Sequence, residues 1–155
     1  MKKVLLCEPN ISEGRDHIRI ERVVDEVRAA PGVRLLDASS DPDHNRSVLT
    51  CLGEPEAVLE ASKAMVVRAL ELIDMRQHHG HHPRQGAVDV APFIPIRGVE
   101  TPEAVEIARL VAEGKGPLTQ DSIKVPLWWS PEATFGPDSP GGALTDRLGA
   151  HTREK

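Results

Sequence analysis

Apolar and polar positions recur along this 155-residue chain with two different periods, and the changes of period mark its elements. Val4 to Cys7 is a short apolar run closed by Pro9-Asn10, which predicts a central strand delivering a loop, Asn10 to Gly14, at its C-terminal end. Ile20, Val23, Val24 and Val27 then fall at i, i+3, i+4 and i+7 with charges between them, predicting an amphipathic helix over 16–30 that Pro31-Gly32 stops. Val33 to Ala38 and Ser47 to Leu52 predict two strands of an antiparallel hairpin. The polar stretch Ser39 to Asn45 between them is longer than a tight turn needs. Gly53-Glu54-Pro55-Glu56 opens a second helix over 55–74, with proline in its first turn and acidic residues at its positive end. Val58, Met65, Val66, Ala69, Leu72 and Ile73 supply its buried stripe. Ala87 to Ile96 predicts a fourth strand, placed at an edge or bulged because Pro92 and Pro95 cannot donate to a ladder. Thr101-Pro102-Glu103 starts a third helix over 101–113, with a hydroxyl cap, proline just inside and a carboxylate in the first turn.

The order β-α-β-β-α-β-α predicts an α+β fold: a ferredoxin-like βαββαβ sandwich, its antiparallel sheet carrying helices on one face, with an extra C-terminal helix. In that topology the first and third strands are neighbours, which brings Cys7 and Cys51 close together. Past Gly114, Val125 to Trp129 reads as a fifth strand. Ser130 to Lys155 carries Pro131, Pro137, Pro140 and Gly141-Gly142 without periodicity and reads as an irregular or disordered tail. The expected division is a domain over 1–129 and a tail over 130–155.

Composition narrows the class. The chain is 39% hydrophobic and 28% charged, near globular averages, and holds no apolar run approaching the ~20 residues that span a bilayer. Its net charge of −5 repels phosphate, so no nucleic-acid partner is expected. The apolar run after Lys2-Lys3 is broken by Glu8, Pro9 and Asn10, too early for a signal sequence; a cytoplasmic location and reduced cysteines are expected.

Candidate chemistry concentrates in His78-His79-Gly80-His81-His82-Pro83-Arg84, where four of the seven histidines fall within five positions. Three readings compete: a metal site, a solvated loop without function, and a general acid/base site in which one imidazole accepts and delivers a proton. The spacing fits no standard ligand pattern, and Asp74 and Asp89 are the only nearby carboxylates, so acid/base chemistry without a metal is favoured. Two other polar segments converge with this loop if the fold holds. Asn10 to Gly14, including Glu13, leaves the first strand, and Asp41 to Arg46, including Asn45, precedes the third. Arg46 and Arg84 have the bidentate fork that holds substrate carboxylates, against a reading as surface ion pairs. For Asn10, Ser12 and Asp41 the alternative is turn and cap chemistry. Asn10, Glu13, Asp41, Asn45, Arg46, His82 and Arg84 are therefore expected around one cleft at an edge of the sheet.

Several motifs in order then carry a resemblance: Pro9-Asn10-Ile11-Ser12-Glu13-Gly14, Asp43-His44-Asn45-Arg46-Ser47-Val48, Leu72-Ile73-Asp74-Met75, and His82-Pro83-Arg84-Gln85-Gly86-Ala87-Val88-Asp89-Val90 with Pro92-Phe93-Ile94-Pro95. Together they resemble the glutamate formiminotransferase family over about residues 3–113, which makes 1–129 its N-terminal subdomain. The resemblance implies transfer of the formimino group from N-formimino-L-glutamate to tetrahydrofolate, the co-substrate, late in histidine breakdown. It also implies that the histidine before Pro-Arg, here His82, takes the proton from the attacking folate nitrogen and returns one to the departing glutamate nitrogen. Family members often carry an aspartate two positions after the strand aspartate Asp37, where this chain has Ser39 with Asp41 nearby, so the carboxylate that orients His82 stays open. The family's complete transferase has a second subdomain of similar size with the substrate tunnel between the halves, so this chain is expected to supply half of an active unit and to form a homodimer. From another class, the same scaffold would serve as a noncatalytic folate-binding or oligomerisation module.

Overall fold

Alternation of period two shapes the first strand: in β1 (Val4–Cys7) Leu5 and Cys7 are buried, while Val4 and Leu6 stay half-buried. The computed structural model, which describes residues 2–82 and 86–112, continues this strand beyond Glu8-Pro9 as β2 (Asn10–Ile11). A loop was expected there. Proline has no N–H to give the ladder and interrupts it, but the Pro9 carbonyl still accepts from the Leu49 amide at 2.9 Å, and pairing resumes.

Helix α1 (His17–Ala29) buries Ile20, Val23, Val24 and Val27, the expected stripe, and starts at Asp16, whose carboxylate accepts from the Ile18 and Arg19 amides. Gly32, at φ +80°, then turns the chain into β3 (Val33–Asp41), which pairs with β4 (Arg46–Gly53). The polar residues Ser39, Ser40 and Asp41, expected in the connection, belong to the strand. They sit on an exposed edge strand, where polar side chains cost little, and they pair with Val48, Ser47 and Arg46. The hairpin loop shrinks to 42–45.

Helix α2 (Pro55–Leu72) begins with Pro55 in its first turn and buries Val58, Met65, Val66 and Ala69. The single strand expected over Ala87 to Ile96 is two pieces, β5 (Val88–Val90) and β6 (Phe93–Arg97), broken at Ala91-Pro92. The Pro92 carbonyl accepts from the Glu8 amide at 3.2 Å, so the two proline breaks lie side by side. Helix α3 (Thr101–Ala112) follows; the Glu100 carbonyl already accepts from the Ala104 amide, which places Thr101 inside the helix rather than at its cap.

All pairings are antiparallel. The sheet runs β5-β2-β4-β1-β6, with β3 on the other side of β4; β1 and β2 lie end to end against β4, and β6 and β5 end to end outside them. The result is a mixed α+β arrangement with a curled antiparallel sheet and three helices among the described residues. Leu5, Cys7, Leu49 and Cys51 join the buried residues of all three helices in one core. Cys7 and Cys51 are direct cross-strand partners, as the topology predicted, and both are free thiols. On the alternate positions Leu6 faces Leu52 on one side and Ile94 on the other, forming an apolar row that ends in Ile94, 39% exposed, with Ile96, 55% exposed, beside it. The strand expected over Val125 to Trp129, the tail over 130–155 and the boundary at 129 lie outside the described residues. No helix among the described residues is long and apolar enough to cross a membrane.

Candidate active site

Three chain segments meet at the tip of the β3–β4 hairpin, and two glycines allow it. A Cβ on Gly14 would lie 2.2 Å from the Asp41 carbonyl oxygen and 2.5 Å from the Arg46 nitrogen; one on Gly80 would lie 2.3 Å from the His44 carbonyl oxygen. Only a residue without a side chain permits backbone to approach backbone that closely. Asn45 ties the segments together. Its Oδ1 accepts from the Gly14 amide at 2.8 Å, its Nδ2 donates to the His79 carbonyl at 3.0 Å, and its own carbonyl lies 2.9 Å from His78 Nε2. The sequence-predicted convergence of the Asn10–Gly14 segment, the hairpin and the histidine loop is therefore found at the level of the chain.

Within that junction Asn10, Arg46 and His82 come together. Arg46 Nε donates to Asn10 Oδ1 at 2.9 Å, and Arg46 Nη1 lies 2.7 Å from His82 Nδ1 and 2.6 Å from His82 Nε2. The same Nη1 donates a short hydrogen bond to Asp89 Oδ2, and His82 Nδ1 is 3.5 Å from that oxygen. Asp89 is only 2% exposed. β5 pairs Val90 with Asn10 and Val88 with Ile11, so two residues on β5 answer one on β2, and Asp89 is the extra residue of a bulge. A buried carboxylate, a fixed guanidinium and a half-buried imidazole thus share one junction, where protons can be held or moved and an anionic substrate attracted.

The other predicted residues stand elsewhere. Glu13 is buried; its Oε1 accepts from the Arg15 and Asp16 amides and its Oε2 pairs with Arg19 at 3.4 Å, so it braces the entry to α1. Asp41 caps the hairpin loop, accepting from the Asp43 and His44 amides at 2.8 and 2.9 Å. The backbone bond from His44, and then the His44 side chain, hold its carboxyl below the usual range. Arg84 lies outside the described residues. His79 and His81 are exposed, whereas His78 is buried under the hairpin. Asp89 is the residue sequence reasoning passed over in assigning roles. Its signal was a lone carboxylate between two valines in a short strand, a place where an unsupported charge is costly. Among the described residues no group of three His, Cys, Asp or Glu side chains is placed to hold a metal ion.

Comparison with known proteins adds a family. The profile of the formiminotransferase domain, N-terminal subdomain, matches residues 4–139. The glutamate formimidoyltransferase of Streptococcus pyogenes serotype M1 is 50% identical over 113 residues, 73% of this chain and 38% of that protein. The glutamate formimidoyltransferase of Thermoplasma acidophilum is 38% identical over 132 residues, 85% of this chain and 42% of that protein. The formimidoyltransferase-cyclodeaminase of Rattus norvegicus is 40% identical over 137 residues, 88% of this chain but 25% of that protein. The chain therefore spans less than half the length of each of these relatives.

Proposed function

The chain belongs to the formiminotransferase N-terminal subdomain family, and on that basis we propose that it supplies one half of a site that moves the formimino group from N-formimino-L-glutamate to tetrahydrofolate. In this reading His82 is the proton carrier. It removes the proton of the attacking folate nitrogen, that nitrogen bonds to the formimino carbon, and the imidazolium then protonates the glutamate nitrogen as its bond to the carbon breaks. Arg46, held by Asn10, offers a fixed positive charge for the carboxylates of either substrate, with Asn45 securing the loops that carry the site. Arg84 is assigned the same carboxylate-binding role, and Glu13 and Asp41 support the walls. No metal is required.

The observation that carries the reading is the meeting of His82 with Arg46 and the buried Asp89 at the junction of three segments. The scaffold is read as ferredoxin-like, which the antiparallel order β5/β6, β1/β2, β4, β3 supports when each end-to-end pair is counted as one broken strand. The rest of the active unit is assigned to a second subdomain, as the greater length of the relatives suggests, and the working form to a cytoplasmic homodimer.

The test is an assay of this chain, with a complementary second half, on formiminoglutamate and tetrahydrofolate. His82→Ala should lower turnover roughly 10²–10⁴-fold, the usual loss for a general base. Equal losses at His78, His79 and His81, or rescue by added zinc, would sink the assignment. Binding of tetrahydrofolate without any turnover would favour the noncatalytic module.

A further inference from the structure

We propose that Cys7 and Cys51 form a reversible disulfide site: a small disulfide such as oxidised glutathione joins them across the two central strands, and a small thiol returns them to the free pair. The proposal goes beyond the transferase reading and asks nothing of His82.

The register supplies the geometry. As direct partners on β1 and β4, the two cysteines send their side chains to the same face of the sheet. The pairings on either side, Cys7 with Cys51 and Asn10 with Val48, put Pro9 opposite Leu49, and the Leu49 amide donates to the Pro9 carbonyl. That pair is therefore of the hydrogen-bonded kind, which recurs at every second residue of an antiparallel ladder. Cys7 with Cys51 is the next such pair, with Cα atoms about 5.5 Å apart. Disulfides most often bridge Cα atoms about 5.5–6 Å apart, so the sulfurs can join while the strands stay in register.

Burial decides the product. Cys7 is 0% and Cys51 2% exposed, inside the core that all three helices share. A small disulfide reaches them only while β1 and β4 part locally. One thiolate then attacks it, forming a mixed disulfide and releasing one molecule of the small thiol. That adduct is too large for a close-packed core. The strands close only when the second cysteine displaces the remaining half of the reagent, which leaves the internal bond and a second molecule of thiol. Two hydrogen atoms have then passed from the protein to the reagent. The closed loop from Cys7 to Cys51 carries Asn10, Gly14, Asn45 and Arg46, so the new bond ties the hairpin-tip junction at its base.

The experiment incubates the full chain with oxidised glutathione in native buffer at about pH 8, near the ordinary range of a thiol, and reads intact and peptide masses after acid quenching. Loss of two hydrogen atoms is expected, with one peptide pair joining Cys7 to Cys51 and full return of the starting mass in dithiothreitol. The oxidised chain should unfold at a higher urea concentration than the reduced one. Cys51→Ala removes the thiol that resolves the adduct and should leave glutathione on Cys7; if that variant fails to fold, the unmodified chain still decides. A standing adduct as its main product overturns the proposal, as do disulfides between two chains. So does a pair that stays reduced while the same reagent oxidises the urea-unfolded chain. An oxidised chain that unfolds at lower urea than the reduced one shows a bond that distorts the sheet, and overturns the fit claimed for it.

Discussion

Asn45 holds a backbone φ of 51°, the left-handed region that non-glycine residues seldom occupy, and it does so while bonding three segments at once. Both facts converge on one substitution. Asn45→Ala strips the partner from the buried Gly14 amide and puts an ordinary Cβ residue at positive φ, so a loss of about 2–4 kcal/mol is expected. Asn45→Gly keeps the conformational freedom and should lose about 1 kcal/mol less. Urea unfolding monitored by circular dichroism measures both through the midpoint at constant slope; a loss below about 0.5 kcal/mol for Asn45→Ala would mean that the junction does not depend on this side chain. At this scale the sequence was legible where the residue type admits few uses. A histidine before proline in a crowded loop, an arginine opening a strand and an asparagine after the first strand all meet at one junction. Glu13 and Asp41 were harder, because a carboxylate that caps backbone amides looks the same in sequence as one that faces a ligand. Asp89 was hardest, since nothing in Val88-Asp89-Val90 announces a bulge.

Among the elements, the hairpin tip is the part most exposed to a single change. The atoms that a side chain on Gly14 would strike are backbone atoms of Asp41 and Arg46, which cannot rotate away. Gly14→Ala should therefore cost about 2–3 kcal/mol and displace the start of β4, carrying Arg46 with it. Thermal unfolding gives the first quantity, and a large change in the Arg46 amide resonance reports the second; a native-like Arg46 signal would show that the hairpin tolerates the intrusion. The three helices were readable because a 3.6-residue stripe extends over several turns and outweighs any one exception. The strands were readable in position but not in continuity. Pro92 signalled one interruption. Pro9 reads as a strand end, because sequence cannot show that its carbonyl goes on accepting from Leu49 and lets pairing resume.

For the whole molecule, the sheet has two unlike faces. One is covered by helices, and the other presents Leu52, Leu6 and Ile94 in a row across three strands, with Ile96 at its margin. Exposed apolar rows of this kind are covered in working assemblies. The chain alone is expected to self-associate at micromolar concentration, and Ile94→Lys combined with Ile96→Lys to shift it toward the monomer; light scattering across a dilution series decides, and a monomer throughout for the unmodified chain would argue against that face as an interface. This was only partly legible in sequence, because alternation says which residues share a side but not which side the helices take. Beneath the helix-covered face, Cys7 and Cys51 stand opposite one another, with Ser62 Oγ donating to Cys7 Sγ at 3.7 Å, and burial pushes the Cys7 thiol well above its ordinary range. A soluble thiol reagent finds no accessible sulfur in the closed sheet, and the Cys7 thiol is held protonated there. The rate at which Cys7 is consumed by such a reagent is thus governed by how often the sheet opens, and the two native cysteines make the molecule its own gauge of global unfolding, with no label to introduce.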